Sequence, residues 1–225
     1  MLFDPTFILV IIALILALLA QQQVKGNYKK FSRIPASIGL TGAELARKML
    51  IDNGLDGIDI QPVKGILTDN YHPVKKIIFL SEGVYNSISL AALAIAAHET
   101  GHALQYAAGY TPVKIRGSLL PSASIGSTLA FPLFFIGLLL TNQVLMDIGI
   151  WFFGAALLFQ LVTLPVEFNA SARALQYLQN GYLRDTTEIQ GARAVLRAAA
   201  LTYVAATLMA LVQFLRLIFL RGSRS

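Results

Sequence analysis

The chain of 225 residues contains no cysteine and little charge, and both deficits limit what it can be. Without cysteine it has no disulfide framework, no thiolate metal ligand and no cysteine nucleophile, so any metal must be held by His, Asp or Glu. Charged residues make up only 13% of the chain and hydrophobic residues 56%, with a mean hydropathy of +0.63. This composition is too apolar for a typical soluble domain and predicts a membrane protein.

Four apolar runs approach or exceed the roughly 20 residues that a helix needs to cross a bilayer. They cover residues 3–20, 119–140, 145–164 and 200–219. The first has Asp4 near its start, where a signal peptide has a basic segment, and precedes three glutamines instead of a small-residue cleavage site, which favours a retained anchor over a signal peptide. If the fourth run crosses, Arg221 and Arg224 lie outside, against the positive-inside rule, and Arg216 lies within its end. The alternatives to a crossing are that it lies partly in the interface or packs along the other helices. We therefore expect three or four transmembrane helices.

The basic residues give an orientation to these runs. The net charge is +6, and a basic group follows the first run: Lys25, Lys29, Lys30 and Arg33. By the positive-inside rule, the segment 25–118 faces the cytoplasm, and the short link 141–144, which has no Lys or Arg, lies outside. No aromatic-and-basic stripe accompanies the positive charge, so the expected partner is a lipid bilayer and not nucleic acid.

The cytoplasmic segment has the pattern of a small α+β part. Thr41 and Glu44 have the spacing of a capping box, and Asn53-Gly54 is the expected end of that helix. The β-branched runs Ile58–Val63 and Lys75–Leu80 are separated by turn-forming residues, which predicts a hairpin or two-strand ribbon. An alanine-rich helix is expected over Ser89–Ala108.

Two of the three histidines stand four residues apart in that helix, as His98-Glu99-x-x-His102. Residues four apart lie on one helix face with Cβ atoms about 5–6 Å apart, so both imidazoles can reach one zinc ion. Glu99 is rotated by about 100° from His98 around the helix, where it can take a proton from the attacking water and pass it to the leaving amine. Zinc would lower the pKa of that water and polarise the scissile carbonyl. The pattern predicts a zinc-dependent hydrolase with one zinc ion per chain.

A catalytic zinc site needs a third protein ligand. The candidates are His72, Glu167, Asp185 and Glu188. Glu167 is favoured because it closely follows the third run, on the expected cytoplasmic side, and Pro165 is well suited to begin a helix there. Asn169 and Ser171 are candidates to orient the two histidines by hydrogen bonds, and Ser171 shares the helix face of Glu167.

Several stretches resemble the bacterial membrane neutral zinc metallopeptidases of the YugP type over nearly the whole chain. They are residues 67–73 (LTDNYHP), 97–105 (AHETGHALQ), 164–171 (LPVEFNAS) and 198–205 (AAALTYVA). The layout is also similar to the wider gluzincin group of HtpX and the CAAX prenyl endopeptidases. That resemblance implies His98, His102 and Glu167 as zinc ligands and Glu99 as general base. Ser171 stands where the wider group has an aspartate.

The resemblance further implies a mainly α, polytopic membrane helix bundle with a small cytoplasmic zincin-like part, in the inner membrane of a bacterial cell. The third-ligand segment would cover residues 165–199 of a single metallopeptidase domain spanning residues 1–225. By the same analogy, Lys75–Leu80 is expected to be an edge strand to which an extended protein or peptide substrate adds.

The leading functional hypothesis is a membrane-embedded zinc endopeptidase that hydrolyses membrane-associated or unfolded proteins. A site-2 type intramembrane protease is an alternative, since Leu55-Asp56-Gly57 contains an Asp-Gly pair, but this pair precedes the histidines and lies in a polar stretch. A non-catalytic metal-binding or scaffold protein is a second alternative. Glu99 argues against it, because metal binding needs the histidines but not a base.

Overall fold

A computed structural model describes residues 6–223 of the chain, which form seven helices and three strands. The predictions that involve Asp4 and Arg224 fall outside the described residues. The elements are α1 (Thr6–Phe31), α2 (Gly42–Asp52), β1 (Asp59–Val63), β2 (Asn70–His72), β3 (Ile77–Ser81), α3 (Glu82–Tyr85), α4 (Leu90–Ala107), α5 (Thr111–Leu139), α6 (Gln143–Gly181) and α7 (Thr186–Gly222). The protein is mainly α with membrane helices, as predicted.

Four of these helices, α1, α5, α6 and α7, are long and apolar enough to cross a membrane. They extend beyond the predicted apolar runs at one end or both, and α6 alone has 39 residues. An apolar run ends where the side chains become polar, whereas a helix ends where its backbone hydrogen bonds stop. The predicted segment 165–199 is therefore divided between the end of α6 and the start of α7.

The prediction that Pro165 begins a helix is wrong, because Pro165 lies inside α6. A proline within a helix leaves the carbonyl four residues earlier without its usual donor. Membrane helices tolerate this because neighbouring groups can satisfy the freed carbonyl, and α5 likewise contains Pro121 and Pro132. The result is that Glu167 stands in the middle of a continuous helix.

The chain forms two compact units. The helical unit consists of residues up to 20, 114–165 and the residues from 202 onward. Within it, α5 and α6 pack closely: a Cβ on Gly126 would lie 2.4 Å from the carbonyl oxygen of Phe152, and one on Gly149 would lie 2.8 Å from that of Ala130. Phe134 is fully buried in this unit's core.

The mixed unit consists of residues 21–113 and 166–201 and holds the sheet. Its centre is α4, whose small buried side chains contribute to two apolar clusters. The capping box of α2 is confirmed: Thr41 and Glu44 exchange both side-chain to backbone hydrogen bonds, and Asn53 is the C-cap. The N-cap of α4 is Ser89, whose hydroxyl accepts from the backbone N–H of Ala92. These caps fix where the two helices begin.

The sheet differs from the predicted hairpin. Its strand order is β1-β3-β2, with β1 parallel to β3 and β2 antiparallel to β3. The connection after β1 is long enough to contain β2, which returns along the sheet and lets β3 run parallel to β1. The expectation that Lys75–Leu80 forms an edge strand is therefore wrong, because β3 is central. The edge strands are β1 and β2.

Candidate metal and catalytic site

The histidine pair lies on α4 in the mixed unit. The rings of His98 and His102 are 4.7 Å apart between centroids, and each side chain is 12% exposed. The helix around them is lined with alanine, which lets neighbouring elements pack close to its backbone and bury the rings. Both imidazoles therefore point into a recess that solvent barely reaches.

Glu167 reaches the two histidines from α6. Its Oε2 lies 3.2 Å from Nε2 of His98 and 3.5 Å from Nε2 of His102, and its side chain is only 3% exposed. A Cβ added to Gly101 would lie 2.7 Å from the carbonyl oxygen of Ala170, so the helices cross where neither has a bulky side chain. The glycine within the motif thus brings the Glu167 helix up to the histidines.

The donor set fits a zinc ion. Nitrogen and oxygen ligands at 2.0–2.1 Å around a tetrahedral zinc lie about 3.4 Å from one another, which matches the observed Nε2 to Oε2 separations of 3.2 and 3.5 Å. The three residues form a group that can hold a metal ion. Burial lowers the pKa of His102, but the hydrogen bond and negative charge of Glu167 and the charge of Glu99 raise it overall. The recess therefore favours a positive charge where the three side chains converge.

Glu99 lies beside this group and is buried, with 8% of the residue exposed. Burial raises the pKa of its carboxyl, positive charge on His98 and His102 acts in the opposite direction, and the carboxylates of Glu167 and Asp69 raise it further. A carboxyl with a raised pKa binds a proton more tightly than an exposed glutamate does, which is a property that a general base requires. The burial and the raised pKa of Glu99 are compatible with the base role expected from the sequence.

Hydrogen bonds behind the histidines fix their orientation. Nδ1 of His98 lies 3.1 Å from the Ser171 hydroxyl, and Nδ1 of His102 lies 3.1 Å from Oε1 of Gln105. When the two Nε2 atoms ligate a metal, the Nδ1–H groups donate to these oxygens. Ser171 thus lies where the sequence suggested, against His98.

Gln105 extends this support to α6. Its Nε2 donates to the backbone carbonyl of Val166 at 2.7 Å and to Oδ1 of Asn169 at 3.1 Å. The same Asn169 oxygen accepts from Nε of Arg173 at 2.8 Å. Asn169 therefore acts on His102 only through Gln105. Sequence reasoning missed Gln105, although a glutamine three residues after a ligating histidine, within an apolar helix, was an available signal.

Asp69 was also missed as a neighbour of the site. Its carboxylate accepts from the backbone N–H of Ser81 at 2.7 Å and from the Ser81 hydroxyl, which joins the start of β2 to the end of β3. Burial raises the pKa of Asp69, and the hydrogen bonds from Ser81 oppose that rise. A negative charge on Asp69 also raises the pKa of Glu99.

The other residues that the sequence offered as a third metal ligand lie outside the group of His98, His102 and Glu167. Nδ1 of His72 accepts from the backbone N–H of Lys75, and His72 stands on the sheet face opposite to Tyr71, which packs on α4. Glu188 accepts from the backbone N–H and hydroxyl of Ser37, and Asp185 binds Thr187. Asp56, of the Asp-Gly pair, is exposed in the loop before β1.

Comparison with known proteins gives the class to which this fold and site belong. The chain belongs to a family of zinc metallopeptidases: the model of the family described as "Putative neutral zinc metallopeptidase" matches residues 6–222. A relative from Bacillus subtilis (strain 168), "Putative membrane protease YugP", is 47% identical over 217 residues, which are 95% of this chain and 96% of the relative. No solved structure matches the chain. The family implies zinc, and the group formed by His98, His102 and Glu167 fits it.

Proposed function

We propose that the protein is a membrane-embedded zinc endopeptidase of the gluzincin type, with His98, His102 and Glu167 as ligands and Glu99 as general base. The observation that carries the proposal is the convergence of Glu167 from α6 on both Nε2 atoms of α4, at 3.2 and 3.5 Å, with Glu99 buried beside them. A metal-binding role alone would not require this buried carboxyl next to the ligands.

The residues divide the chemistry between them. A zinc ion, when bound, polarises the scissile carbonyl and lowers the pKa of water. Glu99 accepts the proton of the water that attacks the carbonyl carbon, holds it on a carboxylate oxygen and delivers it to the nitrogen of the leaving amine. Ser171 and Gln105 hold the two imidazoles in the tautomer that leaves each Nε2 free to ligate. Burial of the group keeps competing water away from these polar contacts.

The proposed location is the inner membrane of a bacterial cell, with the active site facing the cytoplasm. The basic residues after the first apolar run, Lys25, Lys29, Lys30 and Arg33, support a cytoplasmic location for the segment that follows. The charge objection to a fourth crossing is weakened, because Nε of Arg221 donates to Asp147 at 2.9 Å. Asp147 lies near the start of α6, next to the link that has no Lys or Arg, so this pairing brings the end of α7 to that side.

We propose membrane-associated or unfolded proteins as substrates. An extended backbone can add to an exposed sheet edge by main-chain hydrogen bonds, and such binding selects for extended segments more than for particular side chains. Of the two edge strands, β1 contains Pro62, which lacks an N–H donor, whereas β2 contains none. The edge of β2, whose Tyr71 contacts Tyr106 of α4 at 5.7 Å, is the better template.

The test is zinc content by elemental analysis and cleavage of casein, both on the detergent-purified full chain. We expect about one zinc ion per chain in wild type and Glu99→Gln, with cleavage reduced at least about 100-fold in Glu99→Gln. Glu167→Ala should lose most of its zinc. Glu82→Gln is the matched control, because Glu82 is exposed in α3 and should change neither quantity.

Three results would contradict the proposal. Cleavage by Glu99→Gln at the wild-type rate would remove Glu99 as the base. Full zinc occupancy without cleavage in any variant or in wild type would favour a non-catalytic metal-binding protein. Unchanged zinc in Glu167→Ala would show that the third ligand is a different residue.

A further inference from the structure

A cavity of about 360 Å³ lies in the mixed unit, between the end of α4, the β2–β3 turn and the loop before β1. Its wall on α4 is made by Ala103, Tyr106 and Ala107, and Tyr71 contributes from β2. The lining is mostly apolar, and its one charged member is Lys76. The volume is near the lower end of the range for ligand pockets, about 300–1,000 Å³. It suits one large side chain and not a folded segment.

The cavity continues the helix face that carries Glu99. Ala103 is four residues and Tyr106 seven residues after Glu99, so all three lie on one side of α4. At 1.5 Å of rise per residue, the cavity wall begins about 6 Å from the base along the helix and extends past about 10 Å. Glu99 and the cavity wall therefore lie along the same side of α4.

Strand β2 follows the same path beside α4. A negative charge on Asp69, the residue before the strand, raises the pKa of Glu99, and two residues later the ring of Tyr71 makes an edge contact with Tyr106 of α4 at 5.7 Å. Tyr71 pairs with the fully buried Ile78, and cross-strand partners point to the same face, so both face α4. Within residues 6–223, no strand pairs with the other edge of β2.

We propose that this cavity binds a large apolar side chain of the substrate peptide, two or three residues from the scissile bond. The inference rests on the proposed function and names a specificity site for it. A peptide paired with the free edge of β2 would have its residue opposite Tyr71 pointing toward α4, which is the cavity side. The distance from Glu99 of about 6–10 Å corresponds to two or three residues of an extended chain at about 3.3 Å each.

The positive charge of Lys76 also discriminates between substrate side chains. Lys76 stands in the β2–β3 turn with φ +55° and lines the cavity. A lysine or arginine side chain in the cavity would meet this like charge without a carboxylate in the lining to pair with. Phenylalanine and leucine are therefore expected to be preferred, and basic residues to be rejected.

The experiment fills the cavity from two sides. Ala107 is exposed at the cavity wall, and a Cβ on Gly57 would meet no atom within 4 Å, so Ala107→Phe and Gly57→Phe can place a ring there without displacing the core. Ala108→Phe is the matched control, because Ala108 is the next residue, exposed and outside the lining. Fluorogenic peptides carry Phe, Ala or Lys at each of three positions on either side of a central bond.

We expect wild type and Ala108→Phe to prefer Phe over Ala at one position by at least about tenfold in kcat/KM. Both filled variants should reduce this preference below about threefold, whereas Ala108→Phe, outside the lining, should cleave the Ala peptide within about twofold of wild type. The absence of any Phe preference in wild type, or its persistence in both filled variants, would overturn the proposal.

A binding measurement separates this proposal from the proposed hydrolysis. The same peptides are titrated by fluorescence anisotropy against zinc-loaded Glu99→Gln and against that variant with Gly57→Phe added. If wild type cleaves none of the peptides, hydrolysis fails as the function. The cavity would still be supported as a side-chain site if the Phe peptide binds more tightly than the Ala peptide and Gly57→Phe abolishes that difference. Equal binding of Phe and Ala peptides would overturn it.

Discussion

Gln105 is the residue on which the orientation of His102 depends. It is fully buried, accepts from the His102 ring through Oε1 and donates from Nε2 to Val166 and Asn169. A glutamine amide has one acceptor and two donors, and here the donors face two oxygens, so the side chain cannot be turned over without losing both bonds. Its oxygen is thereby held toward the imidazole.

Gln105→Leu is expected to weaken zinc binding by about 10- to 100-fold, because the Nδ1–H of His102 loses its acceptor and the ring its fixed orientation. The measurement is the zinc dissociation constant, by competition with a chelator. Gln105→Glu retains an acceptor for the ring and should lose less affinity. The control is Thr100→Val on the same helix, since buried Thr100 donates only to the carbonyl of Ala96. Equal affinity in Gln105→Leu and wild type would mean that Gln105 does not position the ligand.

At the scale of elements, patterns among neighbouring residues predicted the helices better than they predicted the pairing of the strands. The cap of α2, the extent of α4 and the histidine pair on one face follow from neighbouring residues in the chain, and the structure has them. The parallel pairing of β1 with β3 depends on where a distant segment returns, which β-branched runs do not encode. Glu167 was chosen for its place after an apolar run, although the helix boundary assigned to Pro165 was wrong. Gln105 was missed although His102 is only three residues away, whereas its contacts with Val166 and Asn169, 61 and 64 residues away, are not indicated by neighbouring residues.

The crossing of α4 and α6 gives an element-scale prediction. Gly101→Ala would place a Cβ 2.7 Å from the carbonyl oxygen of Ala170, so the helices must separate and draw Glu167 away from His98. We expect a loss of about 1–3 kcal/mol of stability together with reduced zinc content. Both are measured on detergent-solubilised protein, by thermal unfolding and elemental analysis.

Gly26→Ala is the control for that substitution. Gly26 is also helical, in α1, and a Cβ there meets nothing within 4 Å. Alanine has the higher helix propensity by about 1 kcal/mol, so Gly26→Ala should hold or raise stability. A Gly101→Ala protein with wild-type zinc content would show that the helix separation does not set the position of Glu167.

At the scale of the whole molecule, one ion pair bears on whether all four long helices cross the membrane. Arg221 and Asp147 form a two-bond ion pair within the helical unit, at 2.9 and 3.0 Å, which sets the end of α7 beside the start of α6. With four crossings, and residues 25–118 in the cytoplasm, the end of α7 lies outside. Arg221 would then lie on the outer side, where the positive-inside rule disfavours a positive charge, and its ion pair with Asp147 offsets that disadvantage.

The absence of cysteine makes this orientation measurable, because a single introduced cysteine is then the only thiol in the chain. Gln143→Cys, Ser223→Cys and Lys64→Cys place it at exposed positions at the start of α6, just after α7 and in the loop after β1. A membrane-impermeant maleimide applied to intact cells should label the first two, and Lys64→Cys only after permeabilisation. Labelling of Gln143→Cys with protection of Ser223→Cys would mean that α7 does not cross. Labelling of Lys64→Cys in intact cells would put the mixed unit, and the zinc site with it, outside the cytoplasm.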